Sequence, residues 1–239
     1  MDDPRAAIAL RLAEVRRRID NAARRAGRDP ATVRLVAVSK GHGADRIAAA
    51  CAAGQRLFGE NYVQEWMRKR AELAEKNERS IEWHFVGRVQ RNKAAALAEA
   101  ALVHGVGDAR HLRALGEARA DRAPLNVLWQ VNVGGEAQKN GFSPEALRTD
   151  ARALAAIPGV RVRGLMVLPP EGSPPEIFRE VARLRDTLEA SLGRALPELS
   201  MGMSADYEDA IAAGATLVRV GTAIFGERPA PHGQAEEGA

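Results

Sequence analysis

The sequence predicts a single α/β domain with the (β/α)8 TIM-barrel fold and an extra N-terminal helix. Short β-rich runs alternate with alanine-rich helical stretches along the chain, a pattern typical of parallel sheets. Eight such runs occur, the number that closes a barrel, and 239 residues lie near the low end for that fold. An open doubly wound sheet is the rival architecture, but no G-x-G-x-x-G motif opens a helix here.

The first predicted element is an amphipathic helix whose apolar residues recur at helical spacing from Ile8 to Ile19. Asp3 is a candidate N-cap, Pro4 occupies the first helical position, and Gly27 ends the helix. The predicted strands are residues 35–39, 56–58, 83–86, 102–104, 125–133, 160–168, 199–203 and 216–220. The predicted later helices are residues 43–53, 61–76, 91–100, 108–121, 144–156, 175–192 and 205–213.

We expect residues 1–228 to form the barrel domain and residues 229–239, rich in Pro, Gly and Glu, to form a disordered tail.

Composition excludes several classes of protein. Hydrophobic residues make up 46% and charged residues 28%, as in ordinary globular domains, and no apolar stretch is long enough to span a membrane. The N-terminus lacks the apolar core of a signal peptide, and one cysteine, Cys51, cannot form an internal disulfide. We therefore expect a cytoplasmic protein with no membrane association.

Nucleic-acid binding is not expected either. The net charge of +4 is modest, basic and acidic residues interleave along the predicted helices, and aromatic residues make up only 4%. The sequence does not settle the role of two loops. The basic loop 87–93 could guide an anion or cap a helix, and the Gly-rich loop 134–141 has no evident role. Because no second domain is predicted, we expect a monomer.

A lysine follows the first predicted strand. Period-2 alternation puts Val36, Val38 and Lys40 on the same face, so an ammonium group continues a row of valines at the carboxyl end of the strand. In this fold the chemistry takes place where strands end. Burial would favour the neutral amine, which is the form that makes Schiff bases. Alternatively, Lys40 turns into solvent or pairs with a carboxylate, and its position alone leaves both possibilities open.

Polar residues also occur at the ends of the second and third predicted strands. Asn61 follows a Phe-Gly-Glu run and could be an ordinary loop residue or a ligand to the pocket. His84 lies between two aromatic residues and is either a satisfied core residue or a group that supports the pocket from behind. No second histidine or cysteine stands at ligand spacing, so we expect no metal site.

The last two predicted strands are followed by the loops that usually bind phosphate in this fold. Ser204 precedes the predicted helix 205–213, where a hydroxyl and free N–H groups coincide, and Gly221 and Thr222 add close backbone approach and a second hydroxyl. A helix cap and a turn would explain them separately, but their coincidence in these two loops predicts a phosphate site. Arg219 lies within an apolar strand and needs a partner, either a carboxylate or a ring nitrogen of a bound cofactor.

A lysine after strand one, phosphate loops after strands seven and eight and an arginine beside them suggest pyridoxal 5′-phosphate (PLP). The sequence resembles the pyridoxal phosphate homeostasis proteins of the YggS/PROSC family, which are similar to the barrel domain of alanine racemase. The match runs in order from about residue 30 to residue 228. The segments that carry it are 37–40 (AVSK), 58–65 (FGENYVQE), 83–87 (WHFVG), 164–166 (GLM), 199–204 (LSMGMS) and 218–226 (VRVGTAIFG).

The resemblance implies a (β/α)8 barrel that holds PLP as an aldimine on Lys40, with phosphate contacts after strands seven and eight and Arg219 near the pyridine nitrogen. The implied cofactor-binding residues are Lys40, Asn61, His84, Met166, Ser204, Arg219, Gly221 and Thr222. One departure follows the lysine, where residues 41–43 read Gly-His-Gly in place of a Thr-Lys-Pro-like run.

The implied chemistry limits the function. An arginine leaves the pyridine nitrogen largely unprotonated, so the cofactor is a weak electron sink. Racemisation needs acid/base groups on both faces of the substrate, and neither Tyr62 nor Tyr207 is an obvious second one. We therefore favour a carrier and regulator of PLP in vitamin B6 homeostasis, without efficient turnover, whose partners could include PLP-dependent apo-enzymes. A minimal amino-acid racemase and a cofactor-free basic scaffold for acidic partners are the alternatives.

Overall fold

The computed structural model describes residues 4–76, 78, 80–120, 122–134, 140–170 and 172–228. Eight parallel strands follow one another in chain order around a closed barrel, with β8 paired to β1. This confirms the predicted (β/α)8 barrel and excludes the open sheet. The Asp3 cap and the tail 229–239 lie outside the described residues.

The strands of the barrel are short. Their bounds are β1 Arg34–Val38, β2 Leu57–Glu60, β3 Glu82–Phe85, β4 Leu102–Val106, β5 Leu125–Val131, β6 Val160–Val167, β7 Glu198–Ser200 and β8 Leu217–Val220. The described helices are α1 Pro4–Arg25, α2 Ala44–Ala52, α3 Val63–Glu75, α4 Ala94–Leu97, α5 Ala109–Glu117, α6 Pro144–Ala155, α7 Glu176–Leu192, α8 Tyr207–Ala212 and α9 Thr222–Phe225. Single 3-10 turns at Pro30–Thr32 and Arg91–Lys93 complete them.

The inside of the barrel contains an aliphatic layer that is separate from the larger core between the barrel and the helices. Its members are Val36, Leu57, Val86, Leu102, Leu128, Met166 and Leu217, with Val38 packed against them. Val36 and Val38 therefore share the inner face, as the alternation predicts. Gly59 is required beside them, because a Cβ there would lie 2.9 Å from Cγ1 of Val36.

Helix α1 packs outside the barrel against α2, α8 and α9. Its apolar stripe, Ile8, Leu12, Val15 and Ile19, is buried as predicted. Burying a side chain of this size stabilises a fold by about 1.5–3 kcal/mol, so α1 is an integral layer of the domain.

Several predicted elements have different bounds in the structure. Strand β7 ends at Ser200 rather than residue 203, because Gly202 takes a φ of +90° that breaks extended backbone. Helix α8 begins at Tyr207 rather than residue 205, since the carboxylate of Asp206 accepts the N–H of Met203 at 2.6 Å and stabilises a turn first. Ser204 therefore lies in this turn and does not cap the helix. The predicted helix 91–100 divides into a 3-10 turn and the short α4.

Candidate functional site at the barrel mouth

Lys40 lies two residues after the end of β1, at the carboxyl-end mouth of the barrel. Its side chain is half-buried. Burial is the main cause that lowers the pKa of its ammonium group, and the charges of Arg228 and Arg219 act in the same direction. Glu60 acts in the opposite sense. The environment therefore favours the neutral, nucleophilic amine more than water does.

The loop after Lys40 is built on the Gly-His-Gly run at residues 41–43. Gly41 has a φ of +76°, its N–H donates to Oε1 of Glu65 at 2.6 Å, and the side chain of Arg228 packs against it. The ring of His42 is buried 5.3 Å from that of Phe225. Glycine freedom and these contacts give the first βα loop a defined shape.

A buried lysine on α3 contacts the residues at the ends of β1 and β2, next to this loop. Lys69 of α3 is fully buried, and its ammonium group contacts the carbonyl of Ser39 at 2.7 Å, Oε1 of Glu60 at 2.6 Å and Oε1 of Glu65 at 2.7 Å. Sequence reasoning missed Lys69. The signal was there, because it falls on the same helical face as the buried Trp66 and Leu73.

Glu60 completes this network at the end of β2. Its Oε1 also accepts the hydroxyl of Ser39 at 2.6 Å, and the side chain is fully buried. Burial raises the pKa of the Glu60 carboxyl, while Lys69 and Ser39 act to lower it. The Ser39–Glu60–Lys69 network thus ties the end of β1 to α3 next to Lys40.

Arg219 is buried inside β8, and its partners are neutral oxygens. One terminal nitrogen donates to Oγ of Ser200 at 2.6 Å and the other to the carbonyl of Val167 at 2.9 Å. Burial lowers the pKa of the guanidinium to about 10, with Asp206 acting in the opposite sense. The arginine remains a cation at pH 7 and can only donate hydrogen bonds. Of the two partners left open by the sequence, no carboxylate bonds it among the described residues.

His84 lies inside the barrel, connected to a histidine that the sequence analysis missed. Its Nδ1 is 2.8 Å from Nε2 of His104 on β4, and Nδ1 of His104 is 2.8 Å from Oγ of Ser200. The sequence shows no second histidine at ligand spacing, and strand pairing brings His104 to His84 from 20 positions away. Within the described chain, no group of three His, Cys, Asp or Glu side chains could hold a metal ion.

The loops after β7 and β8 have features that suit an anion. Ser204 is half-buried in the turn before α8. Gly221 precedes α9, where no side chain caps the free N–H groups of the first turn, and Thr222 is the exposed first residue of that helix. A Cβ on Gly221 would lie 3.0 Å from the carbonyl of Val38, so a side chain there would crowd the end of β1.

The two remaining predicted residues lie on other strands. Met166 of β6 is buried in the inner layer of the barrel. Asn61 follows β2, and its buried Oδ1 has no hydrogen-bond partner among the described residues. A cavity of about 240 Å³ at this mouth is lined by the end of β5 and by residues that follow β5 and β6, and none of the eight predicted residues lines it.

The fold and the residues at its carboxyl-end mouth define a class of protein. It is the parallel (β/α)8 barrel with a half-buried lysine after β1 and, after β7 and β8, two loops with features that suit an anion. Comparison with known families agrees: residues 10–229 match the "Alanine racemase, N-terminal domain" model. Curated relatives named "Pyridoxal phosphate homeostasis protein" include those of Pseudomonas aeruginosa PAO1, 49% identical over 92% of this chain and 96% of the relative, and Escherichia coli K12, 46% identical over 92% and 97%. The chain belongs to this family of pyridoxal phosphate homeostasis proteins.

Solved structures agree with this assignment. PipY of Synechococcus elongatus PCC7942 in its PLP-bound form is 35% identical, with a TM-score of 0.80 over 92% of this chain and all of that one. Alanine racemase of Corynebacterium glutamicum is 22% identical, with a TM-score of 0.66 over 96% of this chain and 63% of that one, a likeness of fold alone. No helix in the described part of the chain has the length and apolarity needed to cross a membrane.

Proposed function

We propose that this protein binds PLP at the carboxyl-end mouth of its barrel, holds it as a Schiff base with Lys40, and acts as a carrier and regulator in intracellular vitamin B6 homeostasis. The observation that carries the proposal is the position of Lys40: a half-buried amine whose pKa is lowered by burial and by two nearby arginines. Its relatives' names and the PLP-bound PipY structure support the choice of cofactor. The cytoplasm is the compartment we propose for it.

The other predicted residues fit the two ends of PLP. The loops at Ser204 and at Gly221-Thr222 would take the phosphate, because hydroxyls and free helix N–H groups suit an anion. Arg219 would donate to the pyridine nitrogen with an N–H that neither Ser200 nor Val167 occupies. Bound PLP supplies an electrophilic aldehyde carbon and an electron-withdrawing ring.

This chain's residues argue against efficient turnover. Arg219 stays protonated at pH 7 and has only donors, so the ring nitrogen that accepts its hydrogen bond stays unprotonated and the ring is a weak electron sink. Tyr207 is buried in the helix layer with Arg18 over its ring, so it cannot serve as a second base at the mouth. Tyr62 is exposed beside the end of β2 and is the remaining tyrosine for a racemase-like reaction. We propose that PLP is passed to apo-enzymes by a monomer.

Borohydride reduction of PLP-treated protein, followed by peptide mass spectrometry, tests the attachment. We expect a pyridoxyl adduct on Lys40 and its loss in Lys40→Ala. Lys93→Ala is the matched control, since Lys93 follows another strand and is not predicted to contact PLP. An adduct on another lysine, or no adduct at all, would contradict the proposal. The absence of any adduct would favour a PLP-free protein that binds acidic partners.

Assays of amino-acid racemisation on the PLP-loaded protein test the absence of turnover. Typical enzymes turn over about 1–1,000 times per second. We expect rates far below the lower bound, and a rate above it would favour the racemase function. Tyr62→Phe would then show whether Tyr62 is the second base.

A further inference from the structure

A continuous row of hydrogen bonds crosses the inside of the barrel below the proposed PLP site. It runs from Arg219 of β8 through Ser200 of β7, His104 of β4 and His84 to Glu82, both of β3. The four donor–acceptor distances are 2.6, 2.8, 2.8 and 2.9 Å in that order. We call these five residues the barrel chain.

The barrel chain is buried except at one end. Arg219, Ser200, His104 and His84 are all at most 4% exposed, whereas the Glu82 side chain is 47% exposed. The exposed end opens into a polar cavity of about 350 Å³ at the amino-end mouth of the barrel. The chain therefore connects the solvent at that mouth with the arginine at the proposed cofactor site.

The chemistry of its two ends gives the barrel chain a direction. Arg219 has only donors, so Ser200 Oγ must accept from it. The hydrogen bond from His84 lowers the pKa of the Glu82 carboxyl, and an ionised carboxylate can only accept. His84 therefore carries its proton on Nε2 and leaves Nδ1 as an acceptor.

The same logic continues through the middle. His104 donates from Nε2 to His84, so its Nδ1 accepts the hydroxyl proton of Ser200. All four bonds then form with both histidines neutral, and burial lowers the pKa of both imidazoles, which favours that state. Hydrogen bonds aligned in one direction polarise each other and strengthen.

We propose that Glu82 and His104 are positioning residues for PLP binding: through the barrel chain they hold Ser200 as an acceptor and so orient the Arg219 guanidinium at the cofactor site. The inference rests on the proposed function, because it assigns the chain's role toward bound PLP. Without the chain, Ser200 could turn its hydroxyl elsewhere and Arg219 would keep only the carbonyl of Val167 on its inner side.

The test uses Glu82→Leu, which removes the exposed end of the chain without opening the barrel interior. Glu198→Gln is the matched control, because Glu198 lines the same cavity and pairs with Arg34 at 2.6 Å but is not part of the barrel chain. Nitrogen-15 NMR of the histidine side chains in PLP-free protein reads the tautomers. Titration with PLP reads the affinity and the visible absorption of the bound cofactor.

We expect His84 and His104 to be neutral Nε2–H tautomers at pH 7 in the wild type and in Glu198→Gln, and the His84 tautomer to change in Glu82→Leu. Coupling through such networks covers about a two- to thirtyfold range, so PLP affinity in Glu82→Leu should fall by that factor, with a shifted absorption band. The control should keep both.

Two results would overturn the proposal. One is a protonated or Nδ1–H histidine in the wild-type barrel chain. The other is a Glu82→Leu variant whose PLP affinity and absorption match those of Glu198→Gln. A wild type that binds no PLP at all would refute the proposed function itself and, with it, the role toward the cofactor. The NMR spectra are recorded without PLP, so they test the hydrogen-bond directions in the barrel chain independently of the proposed function.

Discussion

Replacing Lys69 with methionine should lower the free energy of unfolding far more than the same replacement at an exposed position of α3. The Lys69 side chain is fully buried and pairs with the fully buried Glu60 at 2.6 Å. Removing one partner of a buried ion pair costs about 3–5 kcal/mol, because the other charge is left without compensation. Glu60 would then keep only the hydroxyl of Ser39, 2.6 Å away.

The matched control is Arg68→Met, one position earlier on α3. The Arg68 side chain is 62% exposed, and its partner Glu72 is also exposed. Exposed pairs contribute about 0–1 kcal/mol, so the control should change stability little. Urea unfolding followed by tryptophan fluorescence, with equal slopes required of all variants, measures the difference.

The Lys69→Met deficit should also depend on pH. Burial already raises the pKa of Glu60, and loss of Lys69 removes the main influence that lowers it. The folded pKa then exceeds the unfolded value of about 4.3, so the folded state binds the proton more tightly. Stability must therefore fall as pH rises above the unfolded value. We expect the deficit to shrink between pH 7 and pH 5.

A double-mutant cycle with Glu60→Gln completes the experiment. The double variant leaves no unpaired charge at these two buried positions. Its loss of unfolding free energy should therefore be smaller than the sum of the losses in the two single variants, with a coupling of about 0.5–3 kcal/mol. The reasoning is refuted if Lys69→Met costs no more than Arg68→Met, or if its deficit is the same at pH 5 and pH 7.

Three further predictions concern the rest of the fold. Leu12→Ala on the buried stripe of α1 should lower the free energy of unfolding by about 2–5 kcal/mol. Leu10→Ala, at a side chain that is 74% exposed, should leave it unchanged in the same urea titration. Equal effects of the two variants would contradict the packing of α1. Gly164→Ala should cost about 3 kcal/mol, because its Cβ would overlap the backbone oxygen of Glu198, and an unchanged melting temperature would contradict this. Burial raises the pKa of the Cys51 thiol to about 11, so a disulfide reagent should label it only in urea; fast labelling of native protein at pH 8 would contradict this.

The barrel could be predicted from local sequence because each strand carries its own signal. Alternation at residues 35–39 correctly placed Val36 and Val38 inside and Lys40 at the mouth. Errors occurred where a local exception overrides the pattern. Gly202 reads as part of an apolar strand, but its positive φ ends β7 earlier, and the carboxylate of Asp206 delays α8.

The site was predictable only in part, for a different physical reason. Residues at the carboxyl-end mouth follow strands and can be read from their position, as Lys40 and Gly221 were. Residues that support them depend on contacts between distant positions: His104 reaches Ser200 across 96 residues, and Lys69 reaches Ser39 across 30. Strand pairing and helix docking create these contacts, and no short motif encodes them.

Two polar networks occupy positions where aliphatic side chains would fill the domain at lower cost. One joins Ser39, Glu60 and Lys69 beside Lys40, and the barrel chain leads from Glu82 to Arg219. Buried ion pairs and hydrogen-bond networks can often be replaced by well-packed apolar residues without loss of stability. Here the first network lies beside Lys40, and the barrel chain ends in Arg219. Glu60 acts on the pKa of the Lys40 amine, and Ser200 accepts a hydrogen bond from Arg219, so each network acts on one of the two groups that we propose contact PLP.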